Sequence, residues 1–195
     1  MPTERLFIAI SPPPAVREVL AGLAMQLRGV RWTPQEQQHV TLRFLGDTER
    51  AAIDSLVERL STIRVEPFLL PVEGVGAFPS ARAPRVLWVG IGSGHPRLHQ
   101  LRQRIDDTLL SVPLKIDLRA FHPHLTVAKC SESSARGAGQ WLRAHQNFEG
   151  PPFSVEAFEL YASKLHPAGS IHTVVARFPL KKEDQAPAVS PHSCS

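Results

Sequence analysis

Cysteine is scarce in this chain. Two are present among 195 residues, Cys130 and Cys194, and no CxxC pair occurs. That argues against a disulfide framework or a thiolate metal site as the organising device, and it favours a reducing compartment. No apolar run reaches the roughly 20 residues that span a bilayer. Met1 to Arg5 pass straight into a strand pattern with no secretory apolar core. The expectation is a soluble cytoplasmic protein with no membrane contact. A phosphate-cradling glycine loop, a nucleophile elbow and paired catalytic carboxylates are all missing. Excess charge is missing too. A formal net charge of +4 is a mild bias toward anionic partners and falls short of a duplex-coating footprint. With 43% hydrophobic and 21% charged residues, the chain has ample material for a core.

What the chain does have is a short pattern that occurs twice. The first copy is His39-Val40-Thr41-Leu42-Arg43-Phe44-Leu45-Gly46. The second is Phe121-His122-Pro123-His124-Leu125-Thr126-Val127-Ala128-Lys129. Successive side chains of a strand point to opposite faces. His39, Thr41 and Arg43 are therefore expected on one face, with Val40, Leu42 and Phe44 on the other. His124 and Thr126 share a face in the second copy. Each copy reads as a strand with an apolar underside and an imidazole-hydroxyl pair on top. One such copy alone is an ordinary half-exposed strand. Two copies, 85 positions apart, point to two tops that face one cleft and act on a phosphate.

The rest of the chain alternates strand and helix patterns. Leu6 to Ile10 is a buried strand stopped by Pro12-Pro13-Pro14. Val16, Leu20, Leu23 and Leu27 follow helical spacing, with Gly29 as the stop. Gly46 is expected to end the first motif strand, and Asp47 or Thr48 to cap a helix carrying Ile53, Leu56 and Leu60. Strands are expected at 68–72 and 86–91, with a loop from Gly74 to Pro84 between them. Leu98, Leu101, Ile105 and Leu109 mark a further helix after Pro96. A weak strand is expected at 116–118, a helix around Trp141 and a closing strand pair at 153–162 and 171–178. The class is α+β: a bilobal, pseudo-symmetric duplication with two mostly antiparallel sheets, outer helices and a central cleft. Residues 1–180 form one domain on this reading, and 181–195 a disordered tail.

Two His-x-Thr units suit phosphodiester chemistry. In-line displacement at phosphorus needs a base for the nucleophile and an acid for the departing oxygen, held on opposite sides. Imidazole serves both roles because its ordinary pKa, about 6.5, lies near operating pH. Threonine hydroxyls can donate to the non-bridging oxygens, where charge grows.

The chain resembles the two-histidine (2H) phosphoesterase superfamily, and within it the RNA 2′,3′-cyclic phosphodiesterases once called 2′-5′ RNA ligases (the LigT/ThpR family). The likeness covers both His-x-Thr motifs, the opening strand Arg5 to Ile10, Pro84 to Gly90, and the closing stretch from Leu160 to Leu180. It implies hydrolysis of RNA 2′,3′-cyclic ends to 2′-phosphates without metal or other cofactor, and possible reverse 2′-5′ joining. It implies His39 as proton donor, His124 as proton acceptor, and Thr41, Thr126 and Lys129 on the phosphate. Lys129 stands where the family usually has arginine, which keeps the charge and loses the bidentate fork. The implied partner is an RNA or oligonucleotide with a cyclic phosphate end, and no obligate protein partner is evident. Two alternatives stay open: a 2H enzyme acting on small cyclic nucleotides or ADP-ribose cyclic phosphate, and a non-catalytic RNA-end binder.

Other residues carry weaker signals. Arg43, Phe78, Arg82 and Arg85 are candidate RNA contacts; Phe44 is assigned by alternation to the core side. His95 and His99 have helical i, i+4 spacing suited to a metal, with no third ligand nearby. His122 is read as positional, and His145, His166, His172 and His192 form no cluster.

Overall fold

The computed structural model describes residues 2–110, 112, 120–164 and 170–182. The strands are β1 (Thr3–Ile10), β2 (Val30–Trp32), β3 (Val40–Glu49), β4 (Phe68–Phe78), β5 (Val86–Ile91), β6 (His124–Cys130), β7 (Glu149–Val155), β8 (Ala157–Lys164) and β9 (Ile171–Pro179). The helices are α1 (Pro14–Ala21), α2 (Ile53–Ser61), α3 (Pro96–Leu109) and α4 (Ala135–Ala144). The fold is α+β, as the patterning implies, with antiparallel strand pairs throughout.

The strand order is β7-β4-β5-β6-β3-β1-β8-β9, with β2 added against β6. The two expected sheets are thus joined into one path. The joint is slender: β3 meets β6 through the single pair Val40 and Leu125. The two motif strands are the innermost of each half. The C-terminal strands β8 and β9 complete the half that holds β3, while β4 and β5, from the first half of the sequence, complete the half that holds β6.

Apolar burial fixes the helices in place. Leu98, Leu101, Ile105 and Leu109 of α3 are fully buried, which stabilises by about 1.5–3 kcal/mol for each large side chain. Pro96 opens that helix, where its missing N–H is not needed. α3 packs on β3, α2 against β9, and α1 against β7.

Several expected boundaries move. α1 ends at Ala21, short of Leu27. Carbonyls that a longer helix would use are taken by tryptophans: Trp141 Nε1 donates to Leu23 at 2.9 Å and Trp32 Nε1 to Met25 at 2.9 Å. Tertiary bonds there override helical spacing. β3 does not end at Gly46 but continues to Glu49, because β1 pairs along it as far as Thr3. Gly46 supplies the positive φ of 70° at a register shift on the way. Asp47 and Thr48 are therefore strand residues, and α2 begins with no side-chain cap. β4 likewise runs on to Phe78 through its pairing with β5. Lys181 bridges Val65. The weak strand at 116–118, the loop holding His166 and the tail past 182 lie outside the described residues.

Candidate active site

The joint between the sheet halves places the two motifs. Val40 pairs antiparallel with Leu125. Continuing that register one residue each way sets His39 opposite Thr126 and Thr41 opposite His124. In that register each imidazole stands opposite the other copy's threonine, which gives the pairing a local two-fold character.

Both rings are oriented by the same local bond. His39 Nδ1 lies 2.8 Å from the Gln37 carbonyl, and His124 Nδ1 lies 2.7 Å from the His122 carbonyl. A carbonyl only accepts, so each Nδ1 carries the proton and each neutral ring keeps a bare Nε2. Burial pushes His39 down to about 4; the Gln37 carbonyl resists this, and His172 and His124 reinforce it. His124 is also lowered, by burial first and by the neighbouring His122, with its own backbone bond opposing. Both rings are therefore held in the proton-accepting state when no anion is near.

Strict alternation fails two residues past each threonine, in the same way in both strands. On β3, Thr41 pairs with Ala9 and Arg43 with Ile8, so Leu42 is an extra residue. On β6, Thr126 pairs with Trp88 and Ala128 with Leu87, so Val127 is extra. These are β-bulges, which re-aim the residues beyond them. Phe44, assigned to the core by alternation, is instead 48% exposed and lines the cleft. Arg43, assigned to the histidine face, is 7% exposed. Its Nε donates to Asp106 of α3 at 2.7 Å, and its Nη2 also reaches that carboxylate. The bulge is thus the physical reason that Phe44 is turned out to the cleft, while Arg43 is buried at the cavity wall against α3. Lys129, at the position matching Phe44, is exposed. Its charge is felt at His172 across the joint.

α3 holds the bulge of β3. Arg102 bonds the Asp106 carboxylate at 3.0 and 3.1 Å and donates to the Leu42 carbonyl. Its guanidinium lies 4.9 Å from the centre of the Phe121 ring.

A cavity of about 390 Å³ opens beside His124 and Thr41, walled by Phe44, Phe78, Phe121 and His122. Phe78, expected in a loop, stands at the end of β4 with its ring edge-on to His124 at 5.0 Å. Trp88 lies 4.7 Å from His122. Its indole has room because residue 76 is glycine: a Cβ there would lie 2.1 Å from Trp88. His39 and Thr126 do not line this cavity. His39 sits beyond it, against Phe7 at 4.8 Å and His172 at 5.3 Å. Phe7 stacks on Tyr161, whose hydroxyl lies 2.5 Å from Ser11 Oγ.

Arg82 is exposed in the β4–β5 loop, and Arg85 pairs with Glu132 at 3.0 Å. His95 and His99 diverge, His95 stacking on Phe68 and His99 standing edge-on to Phe121. Among the described residues no group of three His, Cys, Asp or Glu is placed to hold a metal ion, and no helix is long and apolar enough to cross a membrane. Sequence reasoning missed His172, Tyr161, Phe44 and the wall-forming role of His122. His172 and Tyr161 reach the site only through strand order, which no local pattern encodes. The consecutive apolar pair Phe44-Leu45, where period two first breaks, was the available signal for the bulge.

A family model described as LigT like Phosphoesterase matches residues 10–88 and 90–172. An RNA 2′,3′-cyclic phosphodiesterase of Aeropyrum pernix is 35% identical over 114 residues, 58% of this chain and 63% of that protein. The protein of the same name from Archaeoglobus fulgidus is 31% identical over 171 residues, 86% of this chain and 96% of that protein. Escherichia coli LigT, solved in complex with 3′-AMP, superposes with a TM-score of 0.74 at 25% identity, over 93% of this chain and 100% of that one.

Proposed function

Since the chain belongs to the LigT-like phosphoesterase family, we propose that it hydrolyses the 2′,3′-cyclic phosphodiester at the end of an RNA to a 2′-phosphate. The observation that carries this reading is the pairing of Val40 with Leu125. It supports the reading because both motifs flank that one pair and both histidines bond the carbonyl two residues back through Nδ1. The names of the relatives, and the nucleotide bound to Escherichia coli LigT, supply the substrate class.

In the proposed mechanism His124 Nε2 takes a proton from water as the water oxygen bonds to phosphorus. The phosphorus–O3′ bond breaks, and O3′ takes a proton from the His39 imidazolium. Thr41, Thr126 and Lys129 donate to the non-bridging oxygens, where negative charge builds. Proton exchange with solvent then resets both rings. With a ribose 5′-hydroxyl in place of water as the nucleophile, the same groups acting in the same direction would form a 2′-5′ linkage and free the 3′-hydroxyl. The aromatic cavity beside His124 would take the terminal base, since any base offers a π-face to Phe44 or Phe78. The domain assignment at 1–180, with one motif in each of two pseudo-repeats, belongs to this proposal.

A second reading exchanges the histidines. Burial holds His39 near 4, the state of a ready base, and an acid role requires the substrate anion to raise it. An aryl phosphodiester whose leaving group needs no proton separates the two. The variant lacking the acid keeps turnover of that substrate, and the variant lacking the base does not.

The test of the function uses three substrates with chelator present: a short RNA with a 2′,3′-cyclic end, a 2′,3′-cyclic mononucleotide, and ADP-ribose cyclic phosphate. Conversion of the RNA to a 2′-phosphate supports the reading. Conversion of a small substrate alone selects the small-molecule alternative. Binding of the RNA with no conversion selects the non-catalytic binder.

A further inference from the structure

The cleft holds a third imidazole that two-histidine chemistry leaves without a task. His172 stands on β9, paired with Ser163 of β8. Its ring is edge-on to His39 at 5.3 Å and to Phe7 at 5.0 Å. Lys129 is its charged neighbour from across the joint, and together with burial it disfavours the imidazolium. Nδ1 of His172 is buried and has no hydrogen-bond partner among the described residues.

That orphan nitrogen fixes the tautomer. A neutral imidazole has one proton to place, and a buried N–H with nothing to accept it is strongly disfavoured. The proton therefore sits on Nε2, on the more open edge of this half-exposed ring. His39 and His124 hold the opposite tautomer, because their Nδ1 atoms donate to carbonyls. Besides the exposed His122, the cleft thus presents two bare nitrogens that accept protons and one N–H that donates.

We propose that His172 binds a substrate phosphate oxygen through its Nε2–H, beside the Lys129 ammonium, and takes no part in proton transfer. The inference rests on the reading that a phosphate occupies the joint between β3 and β6. Lysine is a rotatable point charge with no fixed direction. An imidazole packed against Phe7 and His39 supplies the direction that the ammonium lacks. The two single-point donors reach the phosphate from different strands, β6 and β9, so they constrain it along two lines.

The experiment titrates inorganic phosphate and a nucleoside 2′-phosphate calorimetrically against wild type, His172→Phe and His172→Gln, and follows turnover of cyclic-ended RNA in each. Losing one hydrogen bond to a charged group weakens binding about ten-fold or more. His172→Phe is expected to lose that much affinity for both ligands and to raise KM alike, while kcat keeps the wild-type pH profile. His172→Gln, whose amide still donates, is expected to recover most of the affinity. His172→Leu is read in the same way should the phenylalanine variant not fold. Unchanged phosphate affinity in the phenylalanine and leucine variants overturns the proposal. So does a hundred-fold loss of kcat with a missing limb of the pH profile, which would make His172 an acid or base. Absence of phosphate binding by the wild type overturns it as well. A wild type that binds phosphate through His172 yet leaves cyclic-ended RNA intact keeps this inference and defeats the functional reading.

Discussion

β3 and β6 carry the same backbone device in different company. Each starts from a histidine whose Nδ1 is tied to the carbonyl two residues back. Each follows its threonine with one extra residue, Leu42 or Val127, and each then carries an exposed side chain, Phe44 or Lys129, two positions further on. The neighbours differ. His39 lies among Phe7, Tyr161 and His172, and burial holds it near 4. His124 faces Phe78, Trp88 and an open cavity. The residue after the extra one is Arg43, clamped by α3, in β3, and the small Ala128 in β6. A repeated backbone geometry would make the proposed chemistry nearly symmetric, and unequal surroundings would give it a direction.

The largest test of that comparison is removal of each imidazole. His39→Ala and His124→Ala are each expected to lower kcat on cyclic-ended RNA by about 10²–10⁴, with unchanged circular dichroism. Loss in one variant and near-full activity in the other would break the symmetry. The hydroxyls come next. Thr41→Val and Thr126→Val are each expected to reduce kcat by about 10² with little change in KM, as for donors that act on growing charge. A change confined to KM would mean that they bind the ground state equally well.

The unequal surroundings give a pH prediction. His39 titrates near 4 when folded against 6.5 when free. Between those values the unfolded chain binds the extra proton. Stability is therefore full above pH 6.5 and falls as pH drops toward 4, by about 3 kcal/mol at most from this group. Urea melts at pH 7 and pH 4.5 check it. His39→Gln should flatten part of the slope, with a residue of the same sign from His124 and His172. The smallest effect concerns the clamp. Asp106 is 31% exposed and Arg43 only 7%, so Asp106→Ala is expected to destabilise by about 2 kcal/mol, below the range for a fully buried pair. β6 has no arginine at the matching position, so its bulge should stand without such support. A melt of Asp106→Ala that matches wild type would remove α3 from the account.

Much of the site was legible because its signal is local. The repeated His-x-Thr, the apolar alternation beneath it and the helical spacing of Leu98 to Leu109 are short-range patterns, and strand periodicity converts them into faces. Arg43 and Phe44 were misplaced because a bulge inserts one residue, and period two has no memory of the slip. His172 and Tyr161 were invisible because β8 and β9 join β1 only through tertiary pairing. The early end of α1 depended on two indole donors, Trp32 and the far more distant Trp141. Each miss is a long-range contact overriding a local rule.

The most direct measurement is a crystal structure with a nucleoside 2′-phosphate bound. Phosphate oxygens are expected about 3 Å from Nε2 of both His39 and His124, with Thr41 and Thr126 donating from either side of the Val40–Leu125 pair. A phosphate that touches one histidine while the other faces solvent or protein would contradict the proposed mechanism.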